Sequence, residues 1–169
     1  FRILDLSTMI TGPMATQMLA EQGADVIRVE PVVPTDLLRD IGPERGGVSA
    51  IQMNVNRAKR SLAIDLKNEQ ARAAFEKLVA TADVMLQNFR PGTAERLGLG
   101  DEAINRIRPE IIYASITGFG TTGPYAAMPV YDPVIQAVGG MVDVQGADPK
   151  LDGTPRFMRS ILCDKTTAM

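Results

Sequence analysis

The stretch from Arg2 to Pro31 constrains the fold most, because it reads as a complete strand–turn–helix–strand unit. Ile3-Leu4-Asp5-Leu6 is a short apolar run, and Ser7 to Gly12 a turn of mostly small or polar residues. Pro13 suits a first helical position, where its fixed φ helps and its missing amide hydrogen costs nothing. Met14, Gln17, Met18 and Glu21 continue in good helix formers, and Gly23 suits the C′ position. Ala24-Asp25-Val26-Ile27-Arg28-Val29 is the return strand. Two strands joined by a helix over about 30 residues make a parallel βαβ unit. An open α/β sheet binds its ligand at the carboxyl ends of such strands, which directs attention to the turn after Leu6.

The remaining chain extends that pattern. Val32 to Asn56 is a loop region rich in Pro and Gly, and Ser61 to Asp65 a strand. Asn68 caps a helix in which Ala71, Ala74, Phe75, Leu78, Val79 and Ala82 recur at the spacing of one buried face. Asp83 to Asn88 is a strand, Phe89-Arg90-Pro91-Gly92 a turn, and Asp101 caps a short helix with Ile104 and Ile107 before Pro109. Ile111 to Thr117 is another strand. The alternation predicts an open, mostly parallel α/β sheet with helices on both faces. Asp132 then reads as an N-cap before Pro133, opening a helix through Val138 that ends at Gly139-Gly140. Met141 to Pro155 is loop-rich, Phe157 to Leu162 a last apolar segment, and Asp164 opens a further helix.

Composition excludes whole classes of chemistry. The chain of 169 residues has no histidine, so neither a Ser-His-Asp nor a Cys-His site, nor a His-ligated metal, can be built within it. A net charge of −2, from 18 basic and 20 acidic residues, argues against a nucleic-acid partner. Cys163 is the single cysteine, which rules out an intramolecular disulfide and suits a reducing, cytoplasmic setting. No apolar run is long enough to span a bilayer. Phe1 lies one residue from a strand, and Asp164 to Met169 reads as a helix barely begun, so the expectation is an N-terminal piece of a longer protein.

Three features invite a functional reading. Gly118-Phe119-Gly120-Thr121-Thr122-Gly123 matches G-x-G-x-x-G after a strand, but Pro124 and Pro129 leave no room for the helix that a dinucleotide fingerprint needs. Arg57, Lys59, Arg60, Lys67, Arg90 and Arg96 flank predicted strand ends; singly they read as solvated charges, and together, on one edge, they suit a ligand with several phosphates. Asp164 reads either as an N-cap or as a carboxylate nucleophile, a role that needs no histidine. Cys163 beside it lacks a base and reads as a small buried residue.

Several collinear runs resemble the family III CoA-transferases, the superfamily of formyl-CoA transferase, CoA:carnitine CoA-transferase and α-methylacyl-CoA racemase. They are Ile3 to Leu6 with Thr11-Gly12-Pro13, Gly23 to Glu30, Asn56 to Ser61, Asp83 to Met85 with Asn88 to Gly92, Ala114 to Gly120 with Gly123-Pro124-Tyr125, and Tyr131-Asp132 with Gln136-Ala137 and Gly139-Gly140. The resemblance implies a Rossmann-like sheet, with residues 1–169 forming the N-terminal part of the large CoA-binding domain of an interlocked, two-domain homodimeric subunit. It implies coenzyme A, as acyl-CoA, and a small carboxylic acid as substrates, with no metal. It places the catalytic aspartate at Asp164, and CoA contacts at Thr8, Met9, Ile10, Thr11, Ile64, Lys67, Asn88, Phe89, Arg90, Arg96 and Tyr131. Where the racemases place a catalytic histidine this chain has Tyr131, as the transferases do; Ile10 replaces a glutamine of formyl-CoA transferase, and Pro31 an arginine. The alternatives are an acyl-CoA racemase or epimerase, and a catalytically silent CoA- or nucleotide-binding module.

Overall fold

The chain begins with β1 (Arg2–Asp5), α1 (Thr11–Glu21) and β2 (Asp25–Glu30), followed by a 3₁₀ turn (Leu37–Arg39) and a hairpin of β3 (Glu44–Arg45) and β4 (Val48–Ser49). There follow α2 (Ala50–Asn56), β5 (Arg60–Ala63), α3 (Glu69–Val79), β6 (Val84–Gln87), α4 (Thr93–Arg96), α5 (Asp101–Ile107) and β7 (Ile112–Ser115). The last helices are α6 (Asp132–Val138), α7 (Met141–Gly146) and α8 (Leu162–Ala168). The computed structural model describes residues 1–33, 36–148, 150 and 152–169. They form two units, Phe1–Thr117 and Gly118–Met169.

In the first unit five parallel strands pair in the order β5-β2-β1-β6-β7. Leu4 of β1 lies beside Ile27 on one side and Met85 on the other. Strand residues alternate between the two faces. Leu4, Ile27, Val29 and Met85 join Phe75, Val79 and Ile104 in one buried cluster, while Ile3 and Val26 join Ala20 in another. Helices α3 and α5 therefore cover one face and α1 the other, the architecture expected from the alternating elements. Helix α3 is placed by its cap, the Asn68 side chain accepting from Ala71 N at 3.0 Å, and by full burial of Phe75 and Val79. Each such side chain contributes about 1.5–3 kcal/mol on leaving water. Gly12 lies within α1 where a Cβ would stand 2.4 Å from the Cβ of Ser7, so the helix packs against the loop before it only with glycine there.

The structure corrects several local expectations. Helix α2 and the β3–β4 hairpin occupy part of the expected loop Val32–Asn56, and α7 part of the expected loop Met141–Pro155. Pro34 and Thr35 of the first, and Pro149 and Leu151 of the second, lie outside the described residues. Pro13 is the third residue of α1, not the first. Asp101 and Asp132 are each the first helical residue after their caps, which are Gly100 and Tyr131. Asp164 is the third residue of α8, whose cap is Ile161. After the glycine motif Gly118 to Gly123 the next helix is α6, so no helix follows that motif directly.

At the amino edge of the sheet, Asp25 accepts from Arg2 Nε at 2.8 Å and from Arg60 Nη2 at 2.7 Å. The Arg2 hydrogen bond, then Arg60, holds the Asp25 carboxyl below its ordinary value of 3.8. A carboxylate depressed in the folded state adds stability above its unfolded value and loses it as pH falls through the folded one. The Asp25 carboxyl resonance is therefore expected to titrate below 3.8, moving towards 3.8 in Arg2→Ala. The site is solvent-exposed, so the effect on global stability is small.

Candidate active site

Strand order reverses between β1 and β6, and a doubly wound sheet opens its ligand crevice at that switch, beyond the carboxyl ends of the two strands. The loop after β1 is fastened there from three sides. Asp5 accepts from Ser7 N at 3.0 Å and from the Ser7 hydroxyl. Asn88, following β6, accepts from Thr8 N at 2.9 Å and donates to Thr8 O at 2.8 Å. Asp36, which precedes the 3₁₀ turn, accepts from Met9 N at 3.3 Å. Met9 adopts φ 62°, a left-handed conformation that costs a non-glycine residue about 1–2 kcal/mol. Ile10 is buried and caps α1 without a side-chain hydrogen bond, and Thr11 is buried as the first residue of that helix. The backbone of the loop is therefore held in one shape.

Beneath it lies a closed ionic network that sequence reasoning missed. The Asp5 side chain is 0% exposed and that of Lys59 1%. Asp5 Oδ2 accepts from Lys59 Nζ at 2.8 Å and from Thr16 Oγ1 at 2.6 Å. Lys59 Nζ also donates to Pro13 O at 2.8 Å and Asn56 Oδ1 at 3.0 Å, so its three hydrogens are all used. Burial pushes the Lys59 amine below its ordinary value, opposed first by the charge of Asp5.

The expected basic cluster on one edge does not form. Lys59 is buried under the loop, whereas Arg57 pairs with Glu21 and Arg60, at the start of β5, pairs with Asp25 at the amino edge. Charge alternation along the sequence cannot say at which end of a strand a residue falls. Lys67 and Arg90 follow the carboxyl ends of β5 and β6 and are exposed, as is Arg96 on α4, whose Nη2 donates to Thr93 Oγ1 at 2.8 Å. Ile64 and Phe89 are half-buried against the core, with Phe89 N donating to Gln87 Oε1 at 2.6 Å. Asn88 is half-buried, its amide bound to Thr8 on both sides.

Tyr131 and Asp164 belong to the second unit. Tyr131 is 56% exposed, while the next residue, Asp132, is 4% exposed. Asp132 Oδ2 accepts from Asp164 N at 3.0 Å, and Oδ1 accepts from Gln136 Nε2. Gln136 also donates to Ser160 O at 3.1 Å and accepts from Met158 N at 2.9 Å. Two side chains of α6 thus fix the backbone before α8 and the amide of Asp164, a carboxylate in the first turn of that helix. Burial, then the charges of Asp132 and Asp164, pushes the Cys163 thiol up, so it stays protonated at neutral pH. A cleft of about 660 Å³ in this unit is lined by Gln145, Arg156, Phe157, Met158, Arg159 and Ser160. Among the described residues no cluster of three or more acidic, Cys or His side chains could hold a metal, and no helix is long and apolar enough to cross a membrane.

Comparison with known proteins decides the family. The family model described as "CoA-transferase family III" matches residues 1–169. The chain belongs to this family. It is 42% identical over 153 residues to the acetyl-CoA:oxalate CoA-transferase of Acetobacter aceti, covering 90% of this chain and 39% of that one. It is 40% identical over 148 residues to the human succinyl-CoA:glutarate CoA-transferase, covering 87% of this chain and 34% of that one. The crystal structure of a hypothetical protein from Mycobacterium tuberculosis superimposes with a TM-score of 0.87 at 37% identity, over 99% of this chain and 46% of that one. This family III chain thus spans less than half the length of each.

Proposed function

We propose that this chain carries the nucleophile and much of the CoA site of an enzyme that moves CoA from an acyl-CoA to a carboxylic acid. The observation that carries the reading is Asp164: a carboxylate in a helical first turn, its amide anchored by the buried Asp132, in a chain with no histidine. Asp164 stands third in α8 rather than at its N-cap, which is Ile161.

The proposed cycle balances without any other reagent. The Asp164 carboxylate attacks the thioester carbonyl, the C–S bond breaks, and CoA leaves as thiolate from a mixed anhydride. The thiolate attacks the aspartyl carbonyl of that anhydride, releasing the donor acid and forming an aspartyl-CoA thioester. The acceptor carboxylate displaces the thiolate to give a second anhydride, and the thiolate then attacks its acceptor carbonyl, restoring Asp164. CoA contacts fall to Thr8–Thr11, Ile64, Lys67, Asn88, Phe89, Arg90, Arg96 and Tyr131. The Asn88 amide exchanges two hydrogen bonds with Thr8 and keeps a second N–H and a second lone pair for a ligand. The intact enzyme is an interlocked homodimer of the cytoplasm in this reading.

The test is acid-dependent CoA exchange by the intact protein, begun with oxalate and glutarate because the relatives named above act on them. Exchange of the substrate α-proton with deuterated water, without an acceptor acid, would point to racemisation instead. No acid-dependent exchange with any acyl-CoA and acid pair, despite CoA binding, would leave only a binding module. Arg96→Ala is expected to weaken CoA by about 1.5–3 kcal/mol, the worth of a charge-assisted hydrogen bond. Calorimetry with no measurable change would return Arg96 to the solvated surface.

A further inference from the structure

Resting on the CoA reading above, we propose that Arg28 and Asp36 are positioning residues, a clasp that sets the backbone of the loop Thr8–Ile10 for CoA. Their side chains are 4% and 2% exposed, and Arg28 Nη2 meets Asp36 Oδ2 at 2.7 Å. The other carboxylate oxygen, Oδ1, takes the amide of Met9 at 3.3 Å and that of Leu38 at 3.1 Å. One buried carboxylate thus ties the left-handed residue of the loop to the 3₁₀ turn and, through Arg28, to β2.

The pair is poorly built for stability alone. A buried ion pair gives back little more than its desolvation costs. Here Arg28 Nε and Nη1 are also buried with no partner among the described residues, and Glu30 Oε2, at 3.6 Å from Nη2, already accepts from Arg39 at 2.7 Å. What the pair supplies is an acceptor at a fixed point. Arg28 rides on a strand paired on both sides, Asp5↔Arg28 and Arg28↔Ser61, so Asp36 is held by the sheet and Met9 by Asp36. Without that acceptor the left-handed backbone at Met9 has less to hold it, and the loop relaxes away from the shape a ligand reads.

The experiment uses the intact protein with CoA as calorimetric probe, and amide exchange read at Met9. Asp36→Asn keeps an acceptor oxygen, Asp36→Ala removes it, and the double change Arg28→Met/Asp36→Leu removes it without stranding a buried charge. Asp36→Ala and the double variant are expected to bind CoA about tenfold or more weakly, with faster exchange at Met9 and the loss falling on KM for acyl-CoA more than on kcat. Asp36→Asn, which keeps the acceptor for Met9 but turns an amide N–H towards the Arg28 guanidinium, should fall between wild type and Asp36→Ala. A double variant that melts cooperatively and binds CoA like wild type would overturn the clasp while leaving the CoA reading intact. Wild-type protein that binds no CoA would instead remove that reading, and this inference with it.

Discussion

Asp164→Asn should leave the intact enzyme able to bind CoA and unable to turn over, with a rate loss on the order of 10⁴-fold or more. The amide has nearly the shape of the carboxylate but cannot attack a thioester as an anion. Because Ile161 rather than Asp164 precedes the first turn of α8, the change leaves the cap position in place, and a cooperative melt checks that the variant is folded. The Asp164 amide is anchored through its backbone, so the Asp132 contact survives the change. In the native enzyme, turnover followed by hydroxylamine should leave a hydroxamate on the peptide containing Asp164, detected by mass mapping. A variant with near wild-type turnover, and no adduct on the native residue, would end the nucleophile assignment.

The second large effect concerns stability. Lys59→Met removes the cation, one of four donors, from a fully buried carboxylate, and breaking such a pair costs about 3–5 kcal/mol. Urea denaturation of the intact protein should show the midpoint falling by a corresponding amount. A lysine belonging to a phosphate-binding group, the reading the six basic residues invite together, would behave the other way, with weaker CoA binding and an unchanged midpoint. The two readouts separate the roles in one variant.

These two residues show where sequence is informative and where it stops. The strands and their inward faces were readable because Leu4, Ile27 and Met85 lie in short apolar runs, and α3 because its apolar spacing and Asn68 cap agree. Helix α2 was hidden by the Pro and Gly around it, although Ser49 accepts from Gln52 N as a cap should. Lys59 was misread because a lysine among Asn, Arg and Ser looks solvated until three acceptors from separate parts of the chain converge on it. Asp36 carried one faint signal, an aspartate directly before Leu37 and Leu38, which is a cap pattern. Its second bond, to Met9, joins residues 27 apart and has no local trace. Asp132 reads as an N-cap and is the first helical residue instead, and its hold on the Asp164 amide, which spans 32 positions, depends on how α6 and α8 meet.

The β1–β6 pairing at the middle of the sheet has a consequence for synthesis. Thr8 and Asn88, which fasten the loop to each other, are 80 residues apart. At a ribosomal rate of roughly 5–20 residues per second, about 4–16 s separate their emergence. Through that interval β1 can pair with β2 but has no neighbour on its other side, so a central strand exists as an apolar edge. Such an edge is a template for stray strands. The nascent protein is thus most exposed to mispairing just before the β6 segment arrives.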